Sequence, residues 1–298
     1  MSEAVAPTLS YRVPKRRHPL LLFMMQQPLG AGGLVFIVLM AVCAAAAPWV
    51  APYDPLTVDY GAMLAAPSWE HWLGTDSFGR DVMSRIIFGA RTALAVGFLA
   101  SFAGCTVGAI IGVVSACFGG KIDLFIQGVM DVLLSFPIIV LALTVAAMLG
   151  QKILFGIDVN LIIAISIPMV PRVERVVRAS ALAIRELPYI DAARTAGFSH
   201  TRIVFRHMVP NVTAPYLIMV TAYVAQAILS EASLSFLGLG VTEPTPSWGL
   251  MLSGAAADFY QQAPWMIIYP GLAISLAVFA FNLFGDSLRD WLDPKIKI

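Results

Sequence analysis

Residues 189–210 read YIDAARTAGFSHTRIVFRHMVP, with three arginines and one glycine near the middle. The chain around them is far less polar: of 298 residues, 59% are hydrophobic and 12% charged, and the mean hydropathy is +0.81. Those values exclude an ordinary water-soluble fold and make the bilayer the solvent. A hydrocarbon core of about 30 Å takes roughly 20 apolar residues per helix. Runs of that kind flank the quoted stretch at residues 159–180 and 213–238, and four more lie at 29–51, 92–118, 124–150 and 266–287. The sequence therefore predicts an all-α integral membrane protein with six transmembrane helices, and leaves 189–210 as a polar element outside the lipid.

Basic residues set the orientation, because Lys and Arg near helix ends stay on the cytoplasmic side. With the N-terminus inside, fifteen of the nineteen fall on the inner face, among them Arg12, Lys15, Arg16, Arg17, Lys121, Arg194, Lys295 and Lys297. Both termini and the quoted stretch are thus expected in the cytoplasm. A basic N-terminus followed by LMAVCAAAAPWVA also fits a secretory signal. The run 29–51, however, exceeds the usual ~7–15 residue signal core and spans about 35 Å at about 1.5 Å per residue, so it reads as a retained helix.

Within the spans, Ala100, Gly104, Gly108, Gly112 and Ala116 place a small residue at every fourth position. In lipid, where apolar side chains gain little by leaving one apolar solvent for another, such a face predicts close helix packing. Pro137, Pro168 and Pro171 predict bends or breaks, which suit a translocation path and a packed bundle equally. Asp131 and Glu231 are costly in a membrane; each must face protein or water, as a gating or relay group or as a structural hydrogen-bonding group, and neither has a basic partner in the spans. Cys43, Cys105 and Cys117 lack CxxC spacing and read as small apolar residues.

Outside, residues 52–91 predict a loop followed by a partly interfacial helix. Asp76 with Arg80 and Asp81 with Arg85 stand at the spacing of helix ion pairs, and Trp69 and Trp72 suit the interface belt. A second outer loop, GVTEPTPSWGLMLSGAAADFYQQAPW, is rich in Pro and Gly and is a candidate contact surface. In the quoted stretch, a helix over 186–196 puts Tyr189, Ala192, Ala193 and Ala196 on one face, with Asp191, Arg194 and Thr195 away from it. Gly197 supplies the left-handed position that ends it. Ser199 caps a second short helix through Ile203, Phe205 and Met208 that Pro210 closes. An exposed apolar face of this kind meets a partner protein or lies on the anionic inner leaflet.

The order Asp191, Ala192, Ala193, Gly197 and a closing hydrophobic-x-hydrophobic-Pro ending at Pro210 resembles the EAA loop of ABC importer membrane subunits. Asp191 stands where that pattern has Glu, and His207-Met208-Val209-Pro210 departs from its Ile-x-Leu-Pro ending, so His207 receives no role. LGTDSFGRDVMSRIIFGAR at 73–91, APYDP at 51–55, LSFLGLGV at 234–241, PSWG at 246–249 and FNLFGDSLRDWLDPK at 281–295 narrow the resemblance to the C-type permease of the dipeptide, oligopeptide and nickel group, across nearly the whole chain from Leu29.

That resemblance implies a type I importer permease fold: a cytoplasmic tail (1–28), a first helix (29–51), an outer loop (52–91), a core (92–287) carrying the coupling loop 183–210, and a second tail (288–298). It further implies a bacterial inner-membrane location and coupling to an ATPase through Tyr189, Asp191, Ala192, Ala193, Ala196, Gly197 and Pro210. The implied partners are a homologous B-type permease, one or two ATP-binding subunits that hold ATP and magnesium, a periplasmic or extracellular substrate-binding protein, and membrane lipid. No nucleic acid is expected. The substrate implied is a short peptide, with nickel, glutathione or an opine-type solute as alternatives. The chain itself has no GxxxxGK[ST] loop, no catalytic set and no metal cluster, so catalysis and cofactors are expected elsewhere. An ion-coupled secondary transporter is the rival reading; it calls for paired midplane charges.

Overall fold

The computed structural model describes residues 19–154 and 156–292; the expected inner charges at Arg12, Lys15, Arg16, Arg17, Lys295 and Lys297 lie outside them. In chain order the helices are α1 (Pro19–Gln26), α2 (Pro28–Ala45), α3 (Ala47–Val50), α4 (Val82–Phe118), α5 (Gly120–Ser135), α6 (Ile138–Leu149), α7 (Val159–Ser166), α8 (Val170–Arg185), α9 (Pro188–Thr195), α10 (His200–Ile203), α11 (Val209–Phe236), α12 (Trp248–Met251), α13 (Ala255–Asp258) and α14 (Trp265–Leu292). A two-residue antiparallel hairpin, β1 (Ile153–Leu154) and β2 (Ile157–Asp158), precedes α7. Helix α1 falls in the segment expected as a tail, and its Phe23 packs edge-on against Phe284 and Trp291 of α14.

Among the described residues four helices are long and apolar enough to cross a membrane: Pro28–Ala45, Val82–Phe118, the continuous run His200–Phe236, and Trp265–Leu292. The sequence predicts six. The two remaining runs differ for physical reasons. Over 124–150 the helix breaks at Phe136 and Pro137, so α5 and α6 meet at 95° and form a fifth span only if the bent pair is one crossing. Over 159–180 the backbone passes through a 3-10 turn at Ile167–Met169 around Pro168, and α8 then carries Arg172, Glu174, Arg175 and Arg178. Pro171 sits in the first turn of α8, where a missing N–H breaks no intrahelical bond.

Helix α4 is the axis, lying along α8 and α11, while α14 pairs with α2 and α11. Its small residues explain the close approach to α7 and α8. A Cβ on Gly104 would stand 2.8 Å from the Ser166 carbonyl oxygen, one on Gly108 2.7 Å from that of Val170, and one on Gly112 2.7 Å from that of Glu174. At the ends of the stripe, the Ala100 carbonyl accepts from Ser166 Oγ at 3.0 Å and the Ala116 carbonyl from Arg185 at 2.9 Å. Dispersion and backbone proximity, rather than bulky side chains, hold the two helices.

The two segments expected on the outer side, 52–91 and 240–265, are joined to each other over one end of the bundle. The helix expected before residue 92 is the first turns of α4, which starts at Val82 and runs unbroken to Phe118. The expected Asp81–Arg85 pair is absent: Asp81 caps α4, accepting from Ser84 N at 2.8 Å and Ser84 Oγ at 2.7 Å, with His71 Nδ1 at 3.0 Å. Asp76 and Arg80 do pair, at 2.7 Å, but across a turn. Arg80 and the buried Arg85 instead reach Glu243 in the second outer loop, at 2.8 and 3.3 Å. Trp265 Nε1 donates to the Thr75 carbonyl and Trp248 Nε1 to that of Ile86, so both loops are tied to α4 and to each other. Burial pushes the Glu243 carboxyl up, and the Arg80 hydrogen bond with the charges of Arg85 and Arg80 outweighs it, leaving the group below the usual carboxylate range.

Two predictions follow from this packing. Gly108→Leu forces α4 from α8 and costs about 3 kcal/mol or more, lowering the melting temperature of the purified protein; Gly32→Leu, with open space around it, leaves it unchanged. Equal melting of the two variants would contradict the packing account. For Glu243, whose folded value is depressed, stabilisation is present above the unfolded value of about 4.3 and is lost as pH falls through the folded value. Wild type is therefore expected to melt above Glu243→Gln at neutral pH, with the gap closing in acid; a constant gap across pH would refute it.

Candidate coupling surface

Local signals build the 188–210 element. Pro188 opens α9 at a position that needs no N–H. Gly197 ends it with φ +77°, while Phe198 N donates to the Ala193 carbonyl at 3.1 Å and Gly197 N to that of Arg194 at 3.0 Å; this is the Schellman arrangement. Ser199 Oγ then accepts from Arg202 N at 3.3 Å and starts α10. Pro210 does not close this helix. The chain continues into α11 through a widened π turn over Val204–Met208, in which Val209 N bonds the Val204 carbonyl. Pro210 falls in the first turn of α11, where proline is tolerated, and Asn211 Nδ2 donates to the His207 carbonyl at 2.6 Å.

Burial divides the expected face. Ile190 and Ala193 turn inward onto Val113, Val177, Ile203, Met208 and Val212, so Ala193 belongs to the core and not to an outer surface. The correction has a simple cause: Ile190, the one branched aliphatic residue of α9, takes the inner face while Tyr189 keeps its hydroxyl outside, and Ala193 follows Ile190 one turn on. Tyr189, Ala192 and Ala196 face out. They share that exposure with Leu187, which the sequence reading omitted, and with Phe205, exposed by 69%. Gly197 is exposed at the corner, and Asp191 pairs with Arg194 at 2.8 Å on the solvent side.

His207 fills the angle between the two short helices. Its ring lies 13° from parallel with Phe198 and 6.2 Å from Tyr189, and Arg202 covers the Phe198 ring at 4.0 Å. Tyr189 Oη accepts from Asn211 Nδ2 at 3.3 Å. The corner is thus cross-braced by aromatic packing, and its inner side is continuous with α4, α8 and α11.

The polar span residues lie apart from this surface. Asp131 is not without a basic partner: Arg175 of α8 pairs with it, both side chains being exposed. Glu231 is buried, and its Oε1 accepts from Ser235 and Ser247 hydroxyls at 2.8 Å each, tying α11 to the N-cap of α12. A third acid, Glu174, is fully buried where α8 crosses α4, and it accepts from Gln127 Nε2 at 2.8 Å. Its sequence neighbours Arg172, Arg175 and Arg178 disguise it as part of a charged flank. Among the described residues no group of three or more His, Cys, Asp or Glu side chains could hold a metal.

The family described as binding-protein-dependent transport system inner membrane component matches residues 104–298, and the N-terminal TM domain of oligopeptide transport permease C matches residues 24–67. A putative peptide transport system permease protein of Brucella suis biovar 1 is 41% identical over 266 residues, 89% of this chain and 88% of that protein. The dipeptide transport system permease protein of Alkalihalophilus pseudofirmus is 41% identical over 89% of this chain and 85% of its own length. For the glutathione transport system permease protein of Escherichia coli O6:K15:H31 the identity is 42%, over 91% of this chain and 88% of that protein. An inward-facing structure of the MetNI methionine ABC transporter shares the fold, with a TM-score of 0.54 at 18% identity, covering 71% of this chain and 97% of that one. The chain belongs to the binding-protein-dependent inner-membrane family, as a non-catalytic C-type permease subunit of the peptide and nickel group of ABC importers.

Proposed function

We propose that this subunit forms, with a homologous permease, the inner-membrane path for uptake of short peptides delivered by an external binding protein, and that it receives the work of ATP hydrolysis through the α9–α10 corner. The observation that carries the reading is the two-sided corner: Ile190 and Ala193 lock it to the core, while Tyr189, Ala192, Ala196 and Phe205 remain exposed. A push on the outer side moves α8 and α11 together, because both are continuous with the corner. Short peptides are the chemistry common to the dipeptide, peptide and glutathione relatives, glutathione itself being a tripeptide. Both termini and the corner face the cytoplasm by the distribution of Lys and Arg, and ATP and magnesium are held by the partner subunits. Asp131, paired at an exposed site, and Glu231, satisfied by two serines, act in this reading as structural groups.

Gly197→Pro cannot adopt φ +77° and breaks the corner, while Ala192→Trp bulks the outer face without entering the core. Each variant is expected to reach the membrane with its partners, to lose peptide uptake by about tenfold or more, and to lose substrate-stimulated ATP hydrolysis in reconstituted complex, the loss of about 1.4 kcal/mol or more of coupling. Normal stimulation in both would refute the reading.

A further inference from the structure

A cavity of about 220 Å³ opens where the ends of α4, α8, α9 and the start of α10 meet, lined by Cys117, Arg185, Arg194, His200 and, at its floor, Ile203 and Met208. Three basic side chains from three separate elements converge on it. Arg185 makes no ion pair among the described residues; its one hydrogen bond goes to the Ala116 carbonyl. His200 has no side-chain hydrogen bond among them, and Arg194 shares its charge only with Asp191, whose carboxylate is largely exposed. Two of the three, Arg185 and Arg194, are guanidinium groups, and gathering their like charges beside an apolar floor is unfavourable unless something neutralises them. Ile203 and Met208 are nearly fully buried, so an anion resting on them meets a lower dielectric than a surface anion does.

From this convergence we infer a binding site for a phosphate-bearing anion at the cytoplasmic root of α4, distinct from the exposed outer face of the corner. Guanidinium groups match phosphate oxygens in geometry and charge, and basic pockets on the cytoplasmic side take lipid head groups. Free phosphate and an anionic lipid head group present the same chemistry. The surroundings favour the lipid: one turn before Cys117 on α4, Val114 begins an apolar groove of about 260 Å³ shared with Ile110, Phe125 and Val129, which suits an acyl chain. An occupant would bridge α8 to the α9–α10 corner, so corner stiffness would depend on anion supply.

Cys117 lines the cavity and reports its occupancy. In the intact transporter complex in phosphatidylcholine nanodiscs, alkylation at Cys117 is followed by peptide mass spectrometry while either inorganic phosphate or short-chain phosphatidylglycerol is added. Phosphatidylglycerol is expected to slow alkylation about tenfold, and Arg185→Gln or His200→Gln each to raise the half-protecting concentration about tenfold, the effect of one lost hydrogen bond to the anion. Because Arg185 also caps α4, His200→Gln is the decisive variant. Protection by phosphate at similar concentrations assigns the site to the free ion, and protection by phosphatidylglycerol alone assigns it to the lipid. The inference is overturned if neither protects, if added short-chain phosphatidylcholine protects equally, or if His200→Gln behaves as wild type.

Discussion

Everything here depends on how closely α4 approaches the α7–α8 segment. In a bilayer, apolar side chains gain little by meeting each other, and helix association rests on contact distance and on polar groups hidden between helices. Gly104, Gly108 and Gly112 let α4 lie against the backbone of Ser166, Val170 and Glu174. The same approach fixes α8 along its length, and α8 ends at the element that hangs below the bundle. A stripe of small residues in the second span thus sets the position of a corner more than eighty residues later in the chain.

Polar groups then fasten the two ends of this scaffold. At one end, Glu243 joins Arg80 and Arg85, and Glu231 holds the hydroxyls of Ser235 and Ser247. Toward the opposite end, Gln127 bonds Glu174 while Asp123 pairs with Arg178, linking α5 to α8. These pairs contribute little per ion pair where they are exposed, but buried acids left without partners would be strongly unfavourable. They specify which helices stay together, holding α5 to α8 on one side of the 95° break at Pro137.

Much of this was legible in the sequence wherever a local rule governs. The small-residue stripe, the break at Pro137, the left-handed Gly197 and the Ser199 cap each follow from one or two residues. Errors arose where a rule competes with tertiary context. Pro210 reads as a stop, yet it falls in the first turn of α11, where proline is tolerated. Helical spacing alone puts Ala193 on a face with Tyr189, Ala192 and Ala196, but the burial of Ile190 turns Ala193 inward. Asp81 and Arg85 satisfy pair spacing, but a cap and a distant Glu243 claim them first. Glu174 was hidden by its arginine neighbours, and the partner of Asp131 lies on another helix; neither contact has a local signal.

The most direct test of the central claim uses a cysteine placed at Ala196, which the corner exposes beside Gly197. In native membranes, a short thiol-reactive cross-linker at Ala196→Cys is predicted to join this chain to the ATP-hydrolysing subunit, with the yield changing when ATP is added. Cross-linking to no protein, under conditions where the complex stays assembled, would contradict the assignment of the corner as the surface that receives the ATPase.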